Sequence, residues 1–150
     1  MESMHTDLKR FNCLTAEIDA VYHDAALRLG LSDSALMILY TVCTYGESCL
    51  LHDITRLSGV SKQTIHSALH KLADEGVVYL EPVSGRKKRV CLTETGKAFA
   101  EQTVLQVLGI ENEIFGGWTE AEREMLLGLW GKYVAALAQG LGGGKGGERA

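Results

Sequence analysis

The chain has 150 residues, the length of one ordinary domain, and its 46% hydrophobic and 23% charged residues are the balance of a globular protein. Its single Pro and low aromatic content exclude a Pro-rich linker and a collagen-like array. The formal net charge of -4 excludes a chain that coats nucleic acid through bulk charge, so any DNA contact needs a local basic patch.

Two helices are predicted at the start of the chain. Apolar residues recur at steps of three and four over 8–29, which predicts a long amphipathic helix that ends at Gly30. A second helix is predicted over 35–45, with Ser32 or Ser34 as its N-cap. Its apolar residues lie on almost all sides, so we expect it to be central and buried. The uncharged stretch around it is too short to cross a bilayer.

Two further helical patterns follow, joined by a short turn. The first covers 52–58 and the second 61–75, with Ser61 as N-cap and Gly76 at the C-terminal end. Only three residues, 59–61, link the two patterns, and one of them is Gly. This is the sequence form of a helix-turn-helix, whose second helix is free to enter a DNA groove.

The second of these helices has two distinct faces. Its apolar residues at helical spacing should face the core, and they are Ile65, Ala68, Leu69 and Leu72. At about 100° per residue, Gln63, Ser67 and His70 then project almost directly opposite. In the first helix, Ile54 and Leu57 have the spacing of core residues.

A β-hairpin is predicted next. Segment 77–83 is rich in Val, Tyr and Leu, segment 89–93 alternates in polarity, and 84–88 should form the tip between them. The short apolar piece 49–51 is expected as a further short strand.

The C-terminal part is predicted to be helical. Thr93 can cap a long helix that runs to about Phe115, although two glycines weaken it. Thr119, with Glu122 three residues on, forms a capping box for a last helix. The tail 140–150 is Gly-rich and should be frayed.

The cysteines and the N-terminus bear on localisation. Residues 1–10 contain no apolar run after positive charge, so we expect no secretory signal, a cytoplasmic protein and no membrane association. The four Cys residues lie far apart without a CxxC pair, and we expect buried hydrophobes: Cys13, Cys43, Cys49 and Cys91. Cys13 on the first helix also leaves an oxidant sensor open.

The order of elements is helix, helix, short strand, helix, turn, helix, hairpin, helix, helix, which predicts a mainly α fold with a small antiparallel β-wing. Over nearly its whole length this sequence resembles the MarR family of bacterial transcriptional regulators. The resemblance is carried by Ser61-Lys62-Gln63-Thr64-Ile65 and by Leu92-Thr93-Glu94-Thr95-Gly96 after the wing. Where family members commonly have Asp-Arg-Arg, this chain has Ser84-Gly85-Arg86.

The resemblance implies a single MarR-like domain with one part that binds DNA and another that forms the dimer. Residues 32–93 would form the winged-helix DNA-binding lobe, and 5–30 and 94–139 would form dimerisation helices. The terminal helices carry apolar stripes larger than one small winged helix could cover, which supports a two-fold homodimer: Phe11, Leu14, Ile18, Met125, Leu129, Tyr133 and Leu137.

The resemblance also implies an effector site between the dimerisation helices and the lobe. Its walls would include Tyr22, His23, Tyr40 and Trp118, although simple core packing is an alternative for each of them. A small-molecule or oxidant signal there would relieve repression by moving the two reading helices out of register.

Charge is polarised along the sequence. Segment 61–89 carries six basic and three acidic residues, a net +3, which leaves -7 for the rest of the chain. Short polar side chains read base edges, whereas Lys and Arg contact phosphates, and Arg86 at the hairpin tip suits the negative minor groove. The residues predicted to bind a double-stranded DNA operator are Ser61, Lys62, Gln63, Thr64, His66, Ser67, His70, Lys71, Arg86, Lys87, Lys88 and Arg89.

Other functions have weaker support in the sequence. His66 and His70 have the spacing of a helical metal pair but lack a third ligand in pattern, so we expect neither a metal nor another cofactor. The sequence has no nucleophile, base and orienting group at a spacing that would support catalysis, so we expect the protein not to be an enzyme. The main hypothesis is a homodimeric repressor of a palindromic operator, and the alternative is a winged helix that binds proteins without contacting DNA.

Overall fold

The structure, a computed structural model, describes residues 2–142 of the chain. This part contains seven helices and three strands and confirms the predicted class, mainly α with a small antiparallel wing. In chain order the elements are α1 (Glu2–Arg28), α2 (Asp33–Thr44), β1 (Ser48–Leu50), α3 (Leu51–Ser58), α4 (Lys62–Asp74), β2 (Val78–Ser84), β3 (Lys87–Leu92), α5 (Glu94–Gln102), α6 (Val104–Gly116) and α7 (Glu120–Gly140).

The chain divides into two compact units, one ending at Leu108 and the other beginning at Gly109. The first unit contains α1 to α5, the sheet and the start of α6. The second contains the rest of α6 and α7. The whole segment predicted as the winged-helix lobe, residues 32–93, therefore lies in the first unit.

Helix α2 is the centre of the first unit's core, as its apolar pattern predicts. Ser32 caps it by accepting a hydrogen bond from the backbone N–H of Ala35 at 3.1 Å. Helices α1, α3 and α4 and strand β1 all pack against α2. The fully buried side chains at this junction are Ile38, Leu39 and Val42 of α2, Ile54 of α3, Ile65 of α4 and Val90 of β3. Burial of each such side chain contributes about 1.5–3 kcal/mol before the entropy of ordering is subtracted.

The sheet has the order β1-β3-β2 and is antiparallel throughout. Its hairpin is tighter than the sequence predicts: Ser84 pairs with Lys87, so the loop is only Gly85 and Arg86 and the predicted tip over 84–88 is wrong. Gly85 has a φ of 55°, and a two-residue hairpin loop commonly needs such a positive φ. Arg86 therefore lies at the very end of the wing.

The predicted single helix from Thr93 to about Phe115 is wrong. It is two helices that meet at Thr103, whose φ of -128° and ψ of -95° are not helical. The buried Thr103 hydroxyl donates to the carbonyl oxygen of Phe99 at 2.8 Å. This bond satisfies one of the carbonyls that the end of α5 leaves open, which stabilises the break.

A close contact joins the wing to α5. The Thr93 side chain donates to the carbonyl of Gly76 at 2.5 Å and accepts from the backbone N–H of Gly96 at 2.9 Å. Helix α5 then lies so near the segment that leads into β2 that a Cβ on Gly96 would be 1.9 Å from the carbonyl oxygen of Val77. Glycine is therefore required at position 96 for this packing.

Helix α1 is long and largely exposed. Apolar residues such as Leu14, Ile18 and Val21 are at least half exposed. His23 binds Asp33 at the start of α2, with Nδ1 2.9 Å from both carboxylate oxygens. Among residues 2–142 no single helix is long and apolar enough to span a membrane; α1 and α2 together, bent by 94°, pass that test by length and composition only.

The four cysteines are free thiols, but they differ in exposure. Cys49 and Cys91 are buried, as expected, whereas Cys13 on α1 is exposed, so the expectation of burial is wrong for that residue. Burial, with a smaller contribution from Asp53, raises the pKa of Cys49 to about 11. A thiol of that pKa stays protonated at neutral pH and reacts slowly. Of the four cysteines, Cys13 is the one with the exposure that a reactive thiol needs.

The second unit is built around a short corner between α6 and α7. The rings of Phe115 and Trp118 stack with centroids 5.2 Å apart, and Arg123 donates to both of their carbonyls. Thr119 and Glu122 form the predicted capping box. Helix α7 extends to Gly140, and the predicted frayed tail lies outside the described residues from 143 onward.

The contact at Gly96 can be tested by mutation. Gly96→Ala is expected to destabilise the protein by about 1–3 kcal/mol, because the new methyl group must displace the backbone of Val77. Gly109→Ala, in α6 with open space around it, should be neutral or stabilising by up to about 1 kcal/mol. Urea unfolding at one protein concentration measures both effects. Wild-type stability in Gly96→Ala would contradict the close approach.

Candidate nucleic-acid interface

The turn between α3 and α4 is fixed by local hydrogen bonds. Helix α3 ends with Gly59 in the left-handed conformation, φ 62°, and Val60 packs against the core. Ser61 then caps α4 by accepting from the backbone N–H of Thr64 at 3.2 Å, and the two hydroxyls are 2.8 Å apart. These contacts set the direction in which α4 leaves the turn.

Helix α4 has the two faces that its sequence predicts. Ile65, Leu69 and Leu72 are buried in the core. Gln63, Ser67 and His70 are exposed on the opposite side, and we call these three residues the reading ridge. Because the core holds the apolar face of α4, the ridge on the opposite face points outward.

Helix α3 shows one error in the sequence interpretation. Ile54 is fully buried as expected, but Leu57 is 55% exposed. The residue that shares the core-facing side with Ile54 is Leu51, at the start of the helix. The polar residues His52 and Thr55 then lie beside the wing, where the sequence reading placed no functional residue.

The wing presents unpaired positive charge. Arg86, Lys87 and Lys88 are exposed, and Arg89 is half-buried opposite Glu81 in the sheet. None of these four residues forms an ion pair with a carboxylate within residues 2–142. The charge of the wing tip is therefore available to an external anion.

A cleft of about 510 Å³, which we call the wing cleft, separates α3 and α4 from the wing. Four of its lining residues are cationic and two are histidines, and the full lining is Leu50, Leu51, His52, Thr55, Lys62, His66, Ser84, Arg86, Lys87 and Lys88. Lys62 and His66, one helical turn apart, flank the reading ridge on this side. At about 100° per residue, Thr64 and Lys71 flank it on the other.

Five of the predicted DNA-binding residues thus line one cleft of the first unit, namely Lys62, His66, Arg86, Lys87 and Lys88. The reading ridge lies beside Lys62 and His66 on α4, whereas Arg89 is half-buried in the sheet. Helix α4 contributes the reading ridge and its flanks, and the hairpin contributes the cations of the wing. Thr64 and Ser61 also serve as the cap of α4, so their hydroxyls have a structural role as well. Sequence reasoning missed His52 and Thr55, whose only signal was their position on the polar side of a short helix.

The four predicted effector residues have separate surroundings. His23 is held by Asp33, and Tyr40 is half-buried against the core of the first unit. Tyr22 is exposed on α1, and Trp118 stacks on Phe115 in the second unit. Their participation in one ligand site stays a prediction.

The histidine pair of α4 does not gather further ligands. Within residues 2–142 no group of three or more His, Cys, Asp or Glu side chains is placed to hold a metal ion. His66 instead lines the wing cleft, and His70 belongs to the reading ridge.

The fold is shared with known regulators. A family model described as MarR family matches residues 29–89. NMB1585, a MarR family regulator from Neisseria meningitidis, is 21% identical with a TM-score of 0.79, covering 93% of this chain and 99% of that one. The S. aureus MepR–DNA complex is 17% identical with a TM-score of 0.63, covering 86% and 96%. Bordetella bronchiseptica BpsR, whose DNA binding is described as regulated by 6-hydroxynicotinic acid, is 21% identical with a TM-score of 0.59, covering 83% and 98%. No curated protein matches the sequence significantly.

The fold and the matched segment are those of a winged helix-turn-helix of the MarR type. The resemblance to the MarR family is confirmed for the matched segment, which covers 61 of the 150 residues, from Leu29 just after α1 to Arg89 in β3.

The cap of α4 can be tested without DNA. Ser61→Ala removes the acceptor for the N–H of Thr64 and is expected to cost about 1 kcal/mol of unfolding free energy. Ser67→Ala, an exposed serine in the same helix, should change stability by less than about 0.5 kcal/mol. Urea unfolding of both variants gives the comparison. Equal loss in the two variants would show that the Ser61 bond does not hold the turn.

Proposed function

We propose that the protein is a homodimeric repressor that binds a palindromic operator and releases it in response to a signal. The observation that carries the proposal is the reading ridge, which is exposed, polar and flanked by cations without carboxylate partners in residues 2–142. This arrangement separates base readout from phosphate contact on one surface, which sequence-specific DNA binding requires.

Helix α4 fits the major groove. A helix with its side chains is about 10–12 Å wide, and the major groove is about 12 Å wide. With Ile65 and Leu69 held in the core, Gln63, Ser67 and His70 face the base edges. An amide side chain such as Gln63 can bind adenine through two hydrogen bonds, which makes it the strongest candidate for direct readout.

The wing fits the neighbouring minor groove. Arg86 ends a two-residue loop, so its guanidinium extends beyond the sheet. The minor groove concentrates negative potential where it is narrow, and an inserted Arg is attracted to that potential. Lys87 and Lys88 would then contact the phosphates on either side.

Dimerisation is supported by exposed apolar side chains in both units. On α1, Leu14 and Ile18 are about half exposed, and on α7 Leu129 is 61% exposed. Apolar side chains in rows on helices are typical of interfaces. A two-fold dimer carries two reading ridges, and their separation must match half-sites about one DNA turn, or roughly 34 Å, apart.

Repression would follow from occupying a promoter, and relief from any signal that changes the separation of the two ridges. MarR family regulators are in general DNA-binding proteins rather than enzymes, and BpsR is a relative whose DNA binding a small molecule regulates. For this chain the predicted effector residues are Tyr22, His23, Tyr40 and Trp118. The exposed Cys13 keeps an oxidant as an alternative signal.

The roles of the ridge and the wing can be separated by mutation. Arg86→Ala is expected to weaken DNA binding about tenfold or more, because a cation is lost. The slope of log affinity against log salt concentration should fall in magnitude by about one, the value for one phosphate contact. Gln63→Ala should reduce the preference for the selected sequence over random DNA by about tenfold, because a base contact is lost. Fluorescence anisotropy with a duplex selected from a random library measures both.

The control is Lys132→Ala, which removes an exposed cation from α7 and should leave the affinity unchanged. Unchanged binding in both Arg86→Ala and Gln63→Ala would count against these roles. Absence of any DNA binding by the wild-type chain would instead favour the winged helix that binds proteins.

The dimer interface gives a separate prediction. Leu129→Glu places a charge on the apolar side of α7 and is expected to convert the dimer to a monomer at micromolar concentration. Ala135→Glu adds the same side chain to an exposed position of α7 that, at about 100° per residue, projects almost opposite Tyr133 of the apolar stripe, and should remain dimeric. Sedimentation velocity distinguishes the two states. A monomeric wild-type chain would remove the interface proposal.

A further inference from the structure

We propose that the wing cleft holds one sugar-phosphate strand of the DNA, and that His52 and His66 bind this strand as imidazolium ions, so that DNA binding takes up protons. The inference rests on the proposed function and adds to it a phosphate site that includes α3 and a dependence on pH.

The docking geometry of the proposed complex places one DNA strand at the wing cleft. A helix in the major groove and a hairpin in the adjacent minor groove must lie on opposite sides of the sugar-phosphate strand that separates the two grooves. The wing cleft lies between these two elements, with Lys62 on the side of α4 and Arg86, Lys87 and Lys88 on the side of the wing. The strand between the grooves therefore enters the cleft.

The chemistry of the lining fits a phosphodiester. No carboxylate is among the residues that line the cleft, all of which belong to the part of the chain that the structure describes. The nearest acidic residue in sequence, Asp53, is paired with Arg56 at 3.5 Å. A site with cations on two walls and no opposing acid attracts a polyanion and repels cations.

Histidine is the side-chain type that in general changes charge near neutral pH, and the cleft lining contains two. His52 comes from α3 and His66 from α4, and both are exposed. The other charged groups facing them are Lys62 on α4 and the three cations of the wing tip, which remain charged throughout this range. Histidine ionises near pH 6.5 in general, so protonation adds up to two positive charges to the cleft where they meet phosphate.

The hydroxyl of Thr55, which also lines the cleft, does not take the place of the histidines as a phosphate donor. Thr55 lies beside His52 in the cleft, but its hydroxyl donates to the backbone carbonyl of His52 at 2.9 Å. Of the two polar α3 residues that line the cleft, His52 is therefore the one whose side chain can donate a hydrogen bond to a phosphate oxygen. His70 lies on the reading ridge and outside the cleft, so its contacts are with bases.

By linkage, a complex that binds more protons than the free partners becomes more stable as pH falls. The wild-type affinity should therefore rise by about tenfold or more between about pH 8 and about pH 6. The salt dependence should also be steeper at the lower pH, by about 0.9 in log-log slope for each histidine that pairs with a phosphate.

The test uses the full chain and a fluorescein-labelled duplex selected by the wild-type protein from a random-sequence library. Anisotropy titrations at about pH 6 and about pH 8, each over a range of KCl concentrations, compare wild type with His52→Gln, His66→Gln and the double variant. The double variant should lose most of the pH effect and most of the change in salt slope. His5→Gln removes an exposed histidine of α1 and should keep both. Thermal unfolding at both pH values verifies that each variant is folded.

The outcomes are distinct. A double variant that binds DNA with the wild-type ratio of affinities at the two pH values overturns the inference and leaves the proposed function standing. A wild-type chain that binds no DNA at either pH overturns both. Loss of the pH effect with an unchanged salt slope would assign the histidines a structural role and would also overturn the phosphate site.

Discussion

The packing of α4 against α2 is the constraint on which the candidate interface depends. Ile65, Leu69 and Leu72 fix one side of α4 in a core where Ile38 and Leu39 are fully buried. This packing determines the rotation of α4 about its own axis, and the rotation determines which polar residues face outward. A rotation of one residue position would turn Gln63 toward a flank and Ile65 toward solvent. The core packing of α4 and its proposed role in DNA readout therefore cannot vary independently.

The wing depends on a second contact, the junction around Thr93. Its side chain bonds to the carbonyl of Gly76, just after α4, and to the backbone N–H of Gly96 in α5. The backbone N–H of Val77 bonds to Leu72 of α4, so β2 continues directly from the end of that helix. The base of the wing is therefore tied by hydrogen bonds to the end of α4.

The sequence predicts the parts of the fold that arise from local patterns. The faces of α4, its Ser61 cap and the capping box at Thr119 follow from spacing and residue type, and the structure has all three. The break at Thr103 and the two-residue loop at Gly85 were missed, because a buried Thr and a strand register depend on tertiary context that periodicity does not contain. The wing cleft could not be predicted either, since it joins residues near 52, 62 and 86 that only the fold brings together.

The distribution of charge along the chain is compatible with the proposed binding of DNA by a weakly acidic protein. The net charge of -4 combines +3 between Ser61 and Arg89 with -7 elsewhere. A uniformly charged chain of this sign would be repelled by DNA in every orientation, whereas this one is repelled except when its basic side faces the duplex. In the proposed mode of DNA binding, the acidic remainder would disfavour encounters in which the reading ridge faces away from the duplex. In the proposed complex the attraction to DNA comes from few cations, so we expect it to be sensitive to salt and to each added charge.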